Sequence, residues 1–167
     1  MGDNFYEQNE LSTLIDEYGS GVLNTAYLYL KDKQLAEDVF QEVFIKAYQK
    51  INTFEFRSSI KTWLIRITIN QCKDMIKSAY RKKVHIGIDE NEHIIKSAEQ
   101  VAEENIENEM LYSAVMSLQP KHREIIMLRY YNELSLDKIA EILQISNGAV
   151  RTRLSRTTAL LKKTITA

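Results

Sequence analysis

Turn-forming residues are scarce in this chain. One proline and five glycines in 167 residues leave few corners for a β-rich fold and point to helices. The single Cys72 excludes an internal disulfide and fits a reducing cytoplasm. No run of about eighteen apolar residues occurs, so membrane insertion is not expected. The first ten residues, MGDNFYEQNE, are acidic, unlike a secretory leader. Catalytic signatures are missing as well. The chain has no HExxH, no CxxC, no GxGxxG and no GxxxxGK phosphate loop, and His85, His93 and His122 are scattered. No cofactor, no metal site and no enzymatic activity are therefore expected.

What is present is charge in blocks. The net charge of −1 conceals them, and distribution matters more than the sum. Residues 1–42 hold nine acids against Lys31 and Lys33. Residues 57–83 hold eight bases against Asp74. Residues 87–110 hold eight acids against Lys96. The last third is basic again: residues 146–163 contain five bases and no acid.

Helical periodicity fills most of the chain. Asn9 to Lys31 is amphipathic, with an expected break near Gly19-Ser20-Gly21. Asp32 is placed to cap a helix from Lys33 to Lys50, whose stripe runs Ala36, Val39/Phe40, Val43/Phe44, Ala47/Tyr48, Ile51. Its other face, with Asp38, Gln41 and Glu42, is either solvated or a docking surface. Asn52 to Ser59 breaks the period with two aromatics and an arginine. Ser58 or Ser59 can cap the next helix, Ile60 to about Lys82. That helix is apolar on most sides. A narrow strip of Arg66, Asn70, Lys73, Lys77 and Arg81 crosses it, with Trp63 at its head. The strip suits single-stranded nucleic acid: cations follow the backbone and an aromatic stacks on a base. A purely core Trp63 is the competing reading. Val84 to Asn105 is acidic and aperiodic, as a flexible linker would be.

Two further helices are expected from Ile106 to Leu118 and from Pro120 to about Asn132, with Ile125, Ile126, Met127 and Leu128 to pack. Next comes SLDKIAEILQISNGAVRTRLSRTTALLKK, from Ser135 to Lys163. Leu136, Ile139, Ala140 and Leu143 mark a short helix, Gln144-Ile145-Ser146 a turn, and Val150, Leu154 and Leu161 the inward stripe of a second helix capped by Ser146. That is a helix-turn-helix pattern, its second helix offered to a DNA major groove. A helical hairpin with a solvated basic face is the plainer alternative. Gln144 stands where many such turns have glycine.

These motifs together resemble a known family. AEDVFQEVFIKAY, from Ala36 to Tyr48, is similar to the AEDxxQExFxKxY signature of sigma region 2. WLIRITIN with Asp74 is similar to its WLxRIxxNxxxD signature. Leu118, Pro120 and Arg123, then LSLDKIA, then SNGAVRTRLSR, are similar to sigma region 4. The chain is thus identified as resembling the bacterial sigma-70 family, in its extracytoplasmic-function subclass. Two departures stand out: Gln119 separates Leu118 from Pro120, and no glycine follows Phe56-Arg57.

The resemblance implies an all-α protein of two small helical domains. These are a region 2 bundle at 8–83 and a region 4 helix-turn-helix domain at 106–167, joined by a flexible acidic linker at 84–105. It implies a transcription initiation factor that binds core RNA polymerase and directs it to promoters. Asp38, Gln41, Glu42, Phe44 and Lys46 fall where the family docks on the polymerase β′ clamp helices, and the β flap is a second implied contact. Phe54, Arg57, Trp63, Arg66, Asn70, Lys73 and Lys77 fall where it recognises and opens the −10 element as single-stranded DNA. Arg123, Ser146, Asn147, Gly148, Arg151, Arg153, Ser155 and Arg156 fall where it reads the −35 duplex. An anti-sigma factor is implied as inhibitor, holding a cytoplasmic protein at the membrane in some relatives. A helix-turn-helix repressor or activator that is no polymerase subunit is the alternative; it leaves the Trp63 strip without a role. A polymerase-binding module without DNA specificity is the third reading.

Overall fold

The computed structural model describes residues 3–86 and 106–167, with side chains over 10–82 and 109–167, and every regular element in them is helical. These residues form two separately packed units.

The first unit holds α1 (Asp3–Leu30), α2 (Lys33–Lys50), a 3-10 turn (Ile51–Thr53) and α3 (Ile60–Ile86). Each of the three long helices packs on the other two. The core between them is Val22 and Ala26 from α1, Val39, Val43 and Ala47 from α2, and Leu64, Ile69 and Cys72 from α3, all fully buried. Burying an aliphatic side chain of this size stabilises by about 1.5–3 kcal/mol. Thr68 is buried among them, and its hydroxyl donates to the Leu64 carbonyl at 2.8 Å, so that hydroxyl is not stranded.

The expected break at Gly19-Ser20-Gly21 is absent, and α1 runs through it. A Cβ on Gly19 would stand 3.4 Å from the Phe40 ring, so α2 packs against bare backbone there. A mid-helix glycine costs about 1 kcal/mol relative to alanine. The packing of three helices outweighs that. Lys31 turns the chain at a φ of 57°. Asp32 then caps α2, its Oδ1 accepting from the Leu35 amide at 2.9 Å. Of the two serines before α3, Ser59 is the cap, accepting from the Thr62 amide at 3.1 Å. α3 passes its expected end near Lys82 and reaches Ile86. The expected linker therefore begins inside a helix; the rest of it lies outside the described residues.

The second unit holds α4 (Ile106–Ser117), α5 (Pro120–Ile126), α6 (Leu136–Leu143) and α7 (Asn147–Thr166). α5 does not continue as an α-helix to Asn132. It widens into a π-helical turn, Met127–Tyr131, closed where the Asn132 amide donates to the Met127 carbonyl at 2.9 Å. Ile125, Ile126, Met127 and Leu128 are buried beneath α6 and α7, with Ile139, Ile142, Val150 and Leu161 facing them. Gln144 adopts the left-handed conformation, φ 54°, that glycine usually supplies in such a turn. Ser146 caps α7 through the Ala149 amide at 3.1 Å.

Candidate functional site

On α2, the stripe Ala36-Val39-Val43-Ala47 faces the core, which turns Asp38, Gln41 and Glu42 outward, all exposed. Ile45 lies on the same outer face, at three, four and seven residues from them, and is 50 % exposed. An exposed isoleucine framed by two carboxylates and an amide is a surface suited to a partner with apolar and cationic groups. Two residues expected on this face are elsewhere. Phe44 is buried, 4 % exposed, its ring 4.9 Å from that of Phe40. It shapes the bundle and cannot touch a partner. Lys46 points across the bundle, its Nζ donating to Gln71 Oε1 on α3. Ile45 had a readable signal: an apolar side chain out of phase with the buried stripe.

The segment between α2 and α3 is organised by aromatic contacts. The Phe54 ring stacks on Trp63 at 4.8 Å and 29°, and Phe56 leans on Phe54 at 4.8 Å. Trp63 is half-buried: part of it holds the loop and part stays accessible. Phe56 is 75 % exposed, at a φ of 52° that disfavours a bulky side chain. Arg57 pairs with Glu55 at 2.6 Å, both in solvent, an arrangement that stabilises little but neutralises the arginine in the free loop. From Trp63 the strip continues along α3. Asn70 and Lys77 are exposed, and Arg66 and Lys73 half-buried. Lys73 also has intramolecular partners, as does Arg66. The strip thus runs from an aromatic cluster along one flank of a rigid helix.

α7 shows an exposed N-terminal face and a buried seam. Ser146, Gly148, Arg151, Ser155 and Arg156 are exposed. Asn147 is anchored to α6, its Nδ2 donating to Asp137 Oδ1. A Cβ on Gly148 would meet only Ser146 Oγ, at 4.0 Å, so nothing inside the unit requires glycine there. The seam corrects one expectation and qualifies another. Arg123 is 4 % exposed, and its guanidinium donates to the Leu118 carbonyl at 2.8 Å, closing the end of α4. It is a structural cation and not a DNA contact. Arg153 is half-buried, 3.7 Å from the buried Glu124 carboxylate on α5. Its charge is spent largely inside the unit.

The same seam contains His122, half-buried on α5, with Nδ1 2.7 Å from Thr157 Oγ1 on α7. The Thr157 hydroxyl donates its proton to the Arg153 carbonyl at 2.8 Å, so the imidazole donates to Thr157. Burial, then the charges of Lys121 and Arg153, push the His122 pKa below its usual value. Neither the His122–Thr157 nor the Arg153–Glu124 contact is visible in the sequence, because each joins α5 to a helix some thirty residues away.

Comparison with known proteins decides the family. Residues 14–82 match the family model for sigma-70 region 2, and residues 108–161 match that for sigma-70 region 4. The chain is 31 % identical to the extracytoplasmic-function sigma factor SigW of Bacillus subtilis, over 94 % of its own length and 89 % of that protein. The chain belongs to the extracytoplasmic-function sigma factors. SigM of the same organism is 31 % identical over 89 % of the chain and 93 % of that protein. Among solved structures, the sigma factor RpoE from Bartonella quintana, crystallised with the anti-sigma factor NepR, superposes with a TM-score of 0.78. It is 21 % identical, and the match covers 95 % of this chain and 98 % of RpoE, a likeness of fold. CnrH, solved with the cytosolic domain of CnrY, gives 0.65 at 21 % identity, covering 93 % and 87 %. This sigma factor is accordingly a transcription initiation factor that works with core RNA polymerase and promoter DNA. The reading as a free-standing repressor or activator is not favoured. No described helix is long and apolar enough to cross a membrane.

Proposed function

We propose a division of labour among three surfaces. The outer face of α2, with Asp38, Gln41, Glu42 and Ile45, docks on the polymerase clamp. The Phe54–Arg57 loop and the strip Trp63, Arg66, Asn70, Lys73 and Lys77 capture the non-template strand of the −10 element. Ser146, Asn147, Gly148, Arg151, Ser155 and Arg156 engage the −35 duplex. The factor adds no catalytic group and takes no cofactor; the polymerase supplies the chemistry. The functional domains are residues 8–83 and 106–167. The protein acts in the cytoplasm and is restrained by an anti-sigma protein, a reading supported by the likeness of its fold to RpoE, which was crystallised in complex with the anti-sigma factor NepR.

One observation carries the −10 reading. The polar strip of α3 starts at a Trp63–Phe54–Phe56 aromatic cluster that remains partly exposed. Extruding a base costs about a few kcal/mol of stacking, and a preformed aromatic and cationic surface repays part of it. A duplex-reading domain has no use for such a surface. The test replaces Arg66, Asn70 and Lys73 with Ala in the holoenzyme. Transcription from a duplex promoter should fall much further than transcription from a template already melted over the −10 element. Equal loss on both templates would contradict the melting role.

A further inference from the structure

A shallow cleft of about 450 Å3 lies beside α7, between its outer flank and Tyr130 of the π-helical turn. Arg151 and Lys162 line it, with no acidic side chain. The hydroxyls of Ser155 and Thr158 lie between these cations in sequence, and Leu154 and Ala159 add apolar surface. Tyr130 is 60 % exposed. Among the described residues its phenol oxygen, the Arg151 guanidinium and the Lys162 ammonium have no intramolecular partner.

We propose that Tyr130 and Lys162 hold the sugar–phosphate backbone of one promoter strand at the edge of the −35 element, extending the contact made by the N-terminus of α7. The inference rests on the −35 reading of α7. Charge complementarity selects the occupant: two unpaired cations and no acid favour an anionic polymer over an apolar or cationic peptide. Shape agrees. Eleven residues of helix separate Arg151 from Lys162, about 16 Å at the usual rise. A DNA strand carries a phosphate every ~3.4 Å of its axis, so the row can meet more than one phosphate. A phenol ring can lie against a deoxyribose while its hydroxyl donates to a phosphate oxygen, a contact that positions without reading sequence. The cleft is also continuous with the −35 face, because Arg151 and Ser155 belong to both. The π-helical turn is what carries Tyr130 outward, and such turns recur at functional positions.

The test uses holoenzymes reconstituted with the wild-type protein, Tyr130→Ala, Lys162→Gln and, as a reference, Arg151→Ala. Binding is measured on a promoter with an intact −35 element and on one with that element scrambled, across a salt series. Phosphate-ethylation interference is mapped in parallel. Tyr130→Ala and Lys162→Gln should weaken binding to both promoters alike, by roughly 3–10-fold, and Lys162→Gln should flatten the salt slope by about 1. Ethylation of a phosphate bordering the −35 element should impair the wild type and add nothing to the loss in these two variants. Unchanged affinity with an unchanged ethylation map would overturn the proposal. So would a loss confined to assembly with core polymerase, which would make the cleft a protein-docking site. Arg151→Ala retaining full preference for the intact element would instead defeat the −35 reading of α7, a result separable from the ethylation map.

Discussion

Arg123 offers the sharpest test of the structure against its own sequence. By position it resembles a −35 contact; in the fold it is buried, with its guanidinium on the Leu118 carbonyl. Arg123→Ala removes a charged donor to a buried carbonyl, which costs about 1.5–3 kcal/mol. It also removes the buried arginine stem, so a total near 3 kcal/mol is expected. For a unit of this size each kcal/mol lowers Tm by about 4–8 °C, giving a drop on the order of 10–20 °C for the second unit. The assay is thermal denaturation by circular dichroism, with promoter binding by the holoenzyme measured well below the variant's Tm. A folded variant should bind the −35 element close to normally. An unchanged Tm with lost −35 binding would refute the burial argument and return Arg123 to the DNA face.

Gly148→Ala separates stability from binding. Its new methyl meets nothing closer than 4.0 Å, so the unit should gain up to about 1 kcal/mol from helix propensity while −35 affinity falls several-fold. Retained affinity would show that the backbone at Gly148 stays clear of DNA. His122→Asn addresses acid sensitivity. Because the folded pKa lies below that of the unfolded chain, the unfolded state binds more protons, and the imidazole's contribution is complete above about pH 6.5 and declines as pH falls toward the folded value. The wild type should thus lose more stability than His122→Asn on acidification through that window. Parallel pH profiles for the two proteins would contradict the lowering of the His122 pKa by burial and by Lys121 and Arg153.

Helix positions were legible wherever a local signal set them. Asp32, Ser146 and Pro120 mark starts that the structure keeps, because capping is decided by residues within one turn. The break expected in α1 was misread because glycine's local penalty is outweighed by α2, whose Phe40 closes on Gly19. The π-helical turn has no period of its own and depends on Asn132, buried against the Met127 carbonyl. The exposed faces of α2 and α7 followed from periodicity. The exceptions are residues whose type misleads. Glu124 and Arg153 are charged yet meet in the seam between α5 and α7, Arg123 is charged yet buried on the Leu118 carbonyl, and Phe44 belongs to a conspicuous motif yet fills the core. Ile45 and Tyr130 err the other way, as large apolar or aromatic side chains left in solvent. Such placements follow from tertiary pairing, which no single-helix pattern contains.

Transcription of a promoter library by core RNA polymerase, with and without this protein, tests the central claim most directly. The account predicts start sites that appear only with the protein, share −10 and −35 elements at a fixed separation, and weaken when Asp38, Glu42 and Ile45 are replaced together. No protein-dependent start sites, together with no binding to core polymerase, would contradict it.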